Sequence, residues 1–314
     1  MAQASMSVSP SSGAPDLRGS VGRRRSEAVI RGIFFIAASV SIVISAAIIL
    51  SLIFEAATFL RLIDLDQLRE IGWFPRRGLF DIGTVLMGSL IVTVIAMVIA
   101  TPVGLGSAIY LSEYATPRTR RIIKPILEIL AGIPSIVLGY FALTVINPRI
   151  VTQIFSGADH FNLMAAGLAV GVLIIPLIAS VSEDAMRAVP RSLREASYGL
   201  GARRITTSVR VVFPAAISGI VAALILGISR AIGETMVVAI AAGGTGGSLF
   251  TLDPLGPGQT VTAAMASLAT GSDQVRGASA AFPSLFFLGL LLFVITLGLN
   301  LVGDVFVRRT RQRY

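Results

Sequence analysis

The amino-acid sequence predicts an all-α integral membrane protein with six transmembrane helices and both termini on the cytoplasmic side. Three observations lead there. Hydrophobic residues make up 54% of the chain and charged residues 14%, with a mean hydropathy of +0.83. A soluble domain needs about a quarter of its residues charged to cover its surface, so the bilayer must be the solvent here. Six apolar stretches reach the ~20 residues a helix needs to cross a hydrocarbon core. Finally, lysine and arginine gather in alternate connections between those stretches, as the positive-inside bias requires.

Taken in order, residues 1–32 are rich in Ser, Gly, Pro and Arg and read as a disordered cytoplasmic tail. The run after Arg23–Arg25, Ile33–Ala57, is too long for the apolar region of a signal peptide and has no clear cleavage site behind it. It is expected to be a retained first span. Residues 58–82 form an external loop, whose Arg61, Arg69, Arg76 and Arg77 run against the charge bias. The second span, Gly83–Leu111, is long enough to tilt or bend, and Pro102, Gly104 and Gly106 offer a place to do so. Spans three to six are expected at Ile122–Ile146, Leu163–Val181, Ile217–Ala242 and Phe282–Val305. Residues 83–305 thus form a transmembrane core, and 306–314 a basic cytoplasmic tail.

Composition excludes several functions. The formal net charge is +9, with no cysteine and one histidine. In a soluble protein that charge would suggest nucleic acid. In a membrane protein it marks cytoplasmic loops, so no nucleic-acid partner is expected. The absence of cysteine removes disulfide frameworks and thiol-ligated metals. His160 alone builds no metal site. The single lysine, Lys124, lies outside any G-x-x-x-x-G-K-[ST] pattern, so the chain has no ATP-binding loop of its own. Gly243–Gly247 is glycine-rich without a lysine and reads as a flexible external loop. The chain is expected to bind no cofactor and to catalyse no covalent chemistry.

The long connection between spans four and five, residues 183–214, reads as two short helices broken at Gly199 and Gly201. A basic loop held to anionic lipid headgroups would show similar charge. Its spacing says more: Glu195-Ala196-Ser197, three residues, Gly201, nine residues, then Val211-Val212-Phe213-Pro214. This resembles the EAA loop of binding-protein-dependent ABC importer permeases. It departs at Ser197, where the family usually has Ala, and mildly at Phe213. The resemblance implies the type I ABC importer permease fold and a coupling helix seated in a groove of a separate ATPase. Glu195, Ala196, Gly201 and Pro214 are then the ATPase-coupling residues.

Three more segments, Gly72–Pro75, Ile109–Phe141 and Gly227–Val238, are similar to phosphate-specific permeases of the PstC type. The likeness covers about Gly72 to Arg308. It implies import of inorganic phosphate by alternating access, in a heterodimer with a homologous second permease (PstA type). The other implied partners are an ABC ATPase dimer (PstB type) that uses ATP with Mg, and an extracytoplasmic phosphate-binding protein (PstS type). The implied location is a bacterial or archaeal cytoplasmic membrane, with lipid around a multi-pass chain.

Arg230 and Glu234 stand in the middle of the fifth apolar stretch. A charge at a helix centre costs roughly 2.5–3.5 kcal/mol on insertion scales, so a role is expected. On one helix, the i, i+4 spacing would bring the two side chains together. Two readings follow. Either the pair neutralises itself and pins span five to a neighbour, near Glu128, or Arg230 faces a pathway and Glu234 moderates its grip on an anion. Guanidinium suits phosphate because it stays charged and donates bidentate hydrogen bonds. Ser229 and Thr235 would add hydroxyl donors. Gly132, Pro134 and Ser135 are expected to break span three as a gate or pathway lining. Glu128 is expected to pair with Lys124 along its helix, and Gly219, Gly227 and Gly233 to serve packing. Other readings are a permease for sulfate or molybdate, an ion-coupled secondary transporter with Arg230 and Glu234 as a proton relay, and a structural or sensory subunit.

Overall fold

The computed structural model describes residues 21–69, 71–243, 246–270 and 280–310. The expectations placed on residues 1–20, Gly244, Thr245 and 311–314 lie outside them. The chain divides into two units, Met1–Ser51 and Leu52–Tyr314.

Helix α1 runs from Val21 to Leu62. It begins inside the segment expected to be disordered, which corrects that boundary. The residues before Ile33 include Arg, Glu and Ala, all good helix formers, so the apolar helix extends backward through them. The expected loop 58–82 is also more ordered than its composition suggests. A 3-10 turn, Leu65–Arg69, leads to β1 (Trp73–Phe74), which pairs antiparallel with β2 (Leu79–Phe80) across a turn at Pro75–Arg77. Trp73 and Phe80 are buried with Phe59, Val85 and Leu288.

Helix α2 spans Ile82–Ile109, capped by Asp81, whose carboxylate accepts from Gly83 N at 3.0 Å and Thr84 N at 3.2 Å. It passes through Pro102 and ends in wider π-type turns, Tyr110–Tyr114. Next comes α3, Pro117–Ala131, with Thr116 as its cap and no buried residue. The expected third span therefore moves. The apolar helix that qualifies for crossing is Ser135–Ile154, built from α4 (Ser135–Phe141), π-type turns over Ala142–Val151, and α5 (Thr152–Ile154). Arg120, Arg121, Lys124 and Glu128 explain the shift, because that segment is charged at helical spacing and cannot enter hydrocarbon.

Helix α6, Leu163–Arg187, is capped by Asn162. Helix α7 is Arg191–Gly199 and α8 is Arg204–Thr207, which runs through π-type turns, Ser208–Val212, into α9, Phe213–Ala215. The Arg204–Ala215 segment then meets α10, Ile217–Ile232, at 72°. Helix α11 is Met236–Ala241, α12 is Val261–Thr270 and α13 is Ala281–Thr310. Among the described residues, five helices are long and apolar enough to cross a membrane, or six if the bent pair counts as one span. The expected helical membrane architecture holds with five to six spans, and the expected fifth span is interrupted between Ile232 and Met236.

The core is built on α2 against α6, with α10 also packed on α6. Small residues set that distance. A Cβ at Gly167 would lie 2.7 Å from Ile95, and one at Gly104 2.8 Å from Ile178. Two of the glycines expected to serve packing do so: a Cβ at Gly219 would lie 2.4 Å from Ala185, and one at Gly227 3.2 Å from Ile174. Gly247, expected in a flexible loop, instead has φ +118 and would put a Cβ 2.3 Å from Phe74.

Candidate functional site

Helix α7 carries the first candidate site. None of its residues is buried. Glu195 and Ala196 are exposed, and Glu195 makes no ion pair among the described residues. Leu200, just past the helix, is 90% exposed although large and apolar, and Tyr198 is exposed beside it. Two large side chains are thus exposed beside a carboxylate that makes no ion pair among the described residues. Gly201 has φ +79, with nothing within 4 Å of where a Cβ would stand. Its glycine is therefore required by backbone conformation and not by crowding. Ser197 Oγ and Thr207 Oγ1 lie 2.8 Å apart, so the hydroxyl that departs from the resembled pattern ties α7 to α8. Pro214 is exposed within α9 and precedes the 72° bend, and does not itself open the next span.

The contacts that hold α7 were not legible in the sequence. Arg194 Nη2 donates to Glu113 Oε1 at 2.8 Å and its Nε donates to Glu113 Oε2 at 3.4 Å. The same guanidinium donates to Met186 O and Val189 O, at 2.8 and 2.7 Å. Arg204 Nη2 donates to the backbone carbonyl of Glu113, and its guanidinium lies 5.0 Å over the Tyr114 ring. The only available signal was an acidic residue, Glu113, directly after a long apolar run, and sequence gives no partner for it.

A second buried carboxylate sits nearby in the chain. The Glu183 side chain is fully buried, with Arg120 Nε at 3.3 Å, Lys124 Nζ at 3.1 Å and Arg187 Nη1 at 3.6 Å. Lys124 also reaches Asp184 at 2.9 Å. The expected Lys124–Glu128 pair is thus replaced by pairs across two helices. The hydrogen bond to Asp184 is the main reason that the Lys124 ammonium titrates above its ordinary value; partial burial opposes it and Glu183 adds to it.

The other candidate site is the interruption after α10. The helix ends at Ile232, and α11 starts at Met236. Arg230 and Glu234 therefore do not share a continuous helix, and the expected i, i+4 pair does not form. Arg230 is exposed and makes no ion pair or hydrogen bond among the described residues, with Glu128 or any other group. Glu234 is buried, and its Oε1 accepts from Val237 N at 3.3 Å. Thr262 Oγ1 donates to Glu234 O at 2.7 Å, which satisfies a carbonyl freed by the break. Thr235 Oγ1 donates to Gly233 O at 3.3 Å, and Ser229 Oγ is buried without a partner among the described residues.

A cavity of about 330 Å³ opens beside the break, lined by Gly233, Thr235, Thr262, Met265 and Leu285 among others. Its walls are mainly apolar and carry no charged residue, Arg230 included. Gly132, Pro134 and Ser135 lie at the junction of α3 and α4. Gly132 N donates to Ile129 O, and Pro134 O accepts from Val137 N. The expected helix break thus falls at these residues, between an exposed helix and a span and not midway along the span.

Comparison with known proteins agrees with this geometry. Residues 100–313 match the family model described as "Binding-protein-dependent transport system inner membrane component". The chain is 36% identical over 208 residues to the probable ABC transporter permease protein YqgH of Bacillus subtilis, covering 62% of this chain and 67% of that one. It is 31% identical over 291 residues to the phosphate transport system permease protein PstC of Haemophilus influenzae, covering 86% and 89%. The PstC of Xylella fastidiosa is 29% identical, covering 86% of both. Among solved structures, a bacterial ABC transporter involved in the import of the acidic polysaccharide alginate aligns with a TM-score of 0.61 at 14% identity, covering 92% of this chain and all (100%) of that chain.

Proposed function

Because this chain belongs to the family of binding-protein-dependent transport system inner membrane components, a family of ABC importer permeases, we propose that it forms half of a pathway for inorganic phosphate. The observation that carries this reading is Arg230. An arginine left exposed and unpaired in an apolar span cannot face lipid without a large cost. It must face water or a second protein, and a homologous permease (PstA type) packed against α10 supplies both a partner and an enclosed path. A fixed positive charge there draws an oxyanion from outside, and with no ion-pair partner among the described residues the guanidinium can donate bidentate hydrogen bonds. The similarity to permeases named for phosphate transport supports phosphate as the oxyanion.

In this reading, Glu195, Ala196, Tyr198 and Leu200 dock on an ABC ATPase dimer (PstB type), which uses ATP with Mg, and Gly201 sets the angle at which α7 is offered. Helix α7 and both termini are assigned to the cytoplasmic side in this reading. The opposite end receives an extracytoplasmic phosphate-binding protein (PstS type). ATP binding closes the ATPases, moves α7 and turns the pathway outward; hydrolysis returns it.

The test is uptake of labelled phosphate into liposomes holding this chain, the second permease and the ATPase, with binding protein and ATP supplied. ATP-dependent phosphate uptake that Arg230→Gln abolishes, while the assembly and its ATPase persist, supports the reading. Unchanged uptake in Arg230→Gln removes Arg230 from the pathway. Uptake of sulfate or molybdate in preference to phosphate overturns the substrate, and uptake without ATP overturns the mechanism.

A further inference from the structure

We propose that the Glu113–Arg194 ion pair makes the coupling helix α7 and the end of α2 one rigid body, so that movement imposed on α7 passes into α2. This inference rests on the permease reading and adds the positioning residues that reading lacks.

The geometry supports a strut and not a surface ion pair. Glu113 and Arg194 are 81 residues apart in sequence, with side chains 4% and 17% exposed. Both carboxylate oxygens are engaged, a fork-on-fork contact that fixes orientation as well as distance. The remaining donors of Arg194 hold Met186 O in the last turn of α6 and Val189 O just beyond its end. Those carbonyls end a helix, where a cation is favoured. One guanidinium thus fastens α2, α6 and α7 together. Arg204, on the far side of Gly201, grips the backbone of Glu113 and covers Tyr114. The turn at Gly199–Ala202 is therefore held on both flanks by Glu113, through its carboxylate on one side and its carbonyl on the other.

Without these contacts α7 would be poorly held. None of its residues is fully buried: Leu193 packs half-buried on the cluster of Met186, Val189 and Val212, and one hydroxyl pair links α7 to α8. A helix so exposed would tilt independently when pushed. Arg194 is adjacent to Glu195, so the side chain next to the docking carboxylate is the one that points back into the bundle. Arg194 is a positioning residue: it touches neither the transported anion nor ATP.

The chain has no cysteine, so paired spin labels can be placed cleanly. Labels at Ser192→Cys on α7 and Ser107→Cys on α2 would be followed by pulsed electron resonance in the full assembly, with and without ATP. The expected result is one narrow distance that nucleotide does not change, and a broad, nucleotide-sensitive distribution in Glu113→Gln and Arg194→Met. A distance that shifts with nucleotide in the otherwise unaltered chain overturns the proposal. So does a distribution that stays narrow in both variants. This readout does not depend on which anion is carried, so it is separable from failure of the phosphate reading. In the uptake assay, the two variants are expected to move less anion per ATP hydrolysed, with Arg194→Lys intermediate. An unchanged anion-to-ATP ratio in both variants also overturns it.

Discussion

Arg230 and Glu234 stand one helical turn apart in sequence and on opposite sides of a helix end in space. Arg230 is exposed and has no partner among the described residues, while Glu234 is buried and its Oε1 accepts from Val237 N at 3.3 Å. Glu234 therefore acts as a cap for the segment after the break. Glu234→Gln retains an acceptor oxygen and is expected to unfold near the temperature of the unaltered assembly. Glu234→Ala loses the cap, at about 1 kcal/mol. Thermal unfolding of both variants in detergent checks this. Equal loss in both would show that the charge matters and the cap does not.

Glu183 is a fully buried carboxylate among three cations. Removing it leaves those cations facing one another. Glu183→Ala is expected to destabilise the fold by about 3–5 kcal/mol, the range for breaking one partner of a buried pair. It should also free α3. Faster tryptic cleavage after Arg118 and Arg121, both exposed, would report that release.

Lys124 makes the same latch pH-dependent. Its pKa is raised above the ordinary 10.5 in the folded protein. A raised pKa means the folded state holds the proton more tightly, so the stabilisation is fully present below the ordinary value and is lost as pH rises through the higher one. A spin label at Arg121→Cys is expected to keep constant mobility from neutral pH to about 10 and to loosen above it. Lys124→Met should remove the alkaline transition. A transition that persists in Lys124→Met assigns it to another group.

Gly201 has φ +79 and open space around its Cβ position. Gly201→Ala meets no clash, so its cost is the left-handed backbone alone, about 1 kcal/mol. Relief by reorienting α7 would misplace Glu195. ATPase-subunit binding, measured by titration on the purified permease pair, is expected to weaken about fivefold, with membrane-domain unfolding unchanged. Unaltered binding would mean that the docking surface does not depend on this turn.

Much of the architecture was legible because lipid imposes length and apolarity on any crossing helix. The first, second, fourth and sixth spans fall where apolar runs fall, with helices extending past them: α6 continues to Arg187 and α13 to Thr310. Span three was misplaced because Ile122, Ile126, Ile129 and Leu130 supply apolar residues to a charged, exposed helix. A window average merges such a helix with the span beyond Pro134. The fifth span was placed, but its break at Gly233 was not seen, since Gly-Glu-Thr can sit inside a helix as readily as end one.

The candidate sites divide along the same line. The spacing of Glu195, Gly201 and Pro214 is local, and the sequence by itself determined an exposed helix, a glycine turn and a membrane-embedded chain of this family. Which charges meet was decided only by the tertiary structure. Arg230–Glu234 and Lys124–Glu128 satisfy helical spacing and do not form, whereas Glu113–Arg194 and Lys124–Glu183 join residues far apart in the chain. The physical reason is burial. A charge taken out of water must be matched by whichever opposite charge packing brings within about 3 Å, and that neighbour is set by how α2, α3, α6 and α7 pack, which no local spacing records.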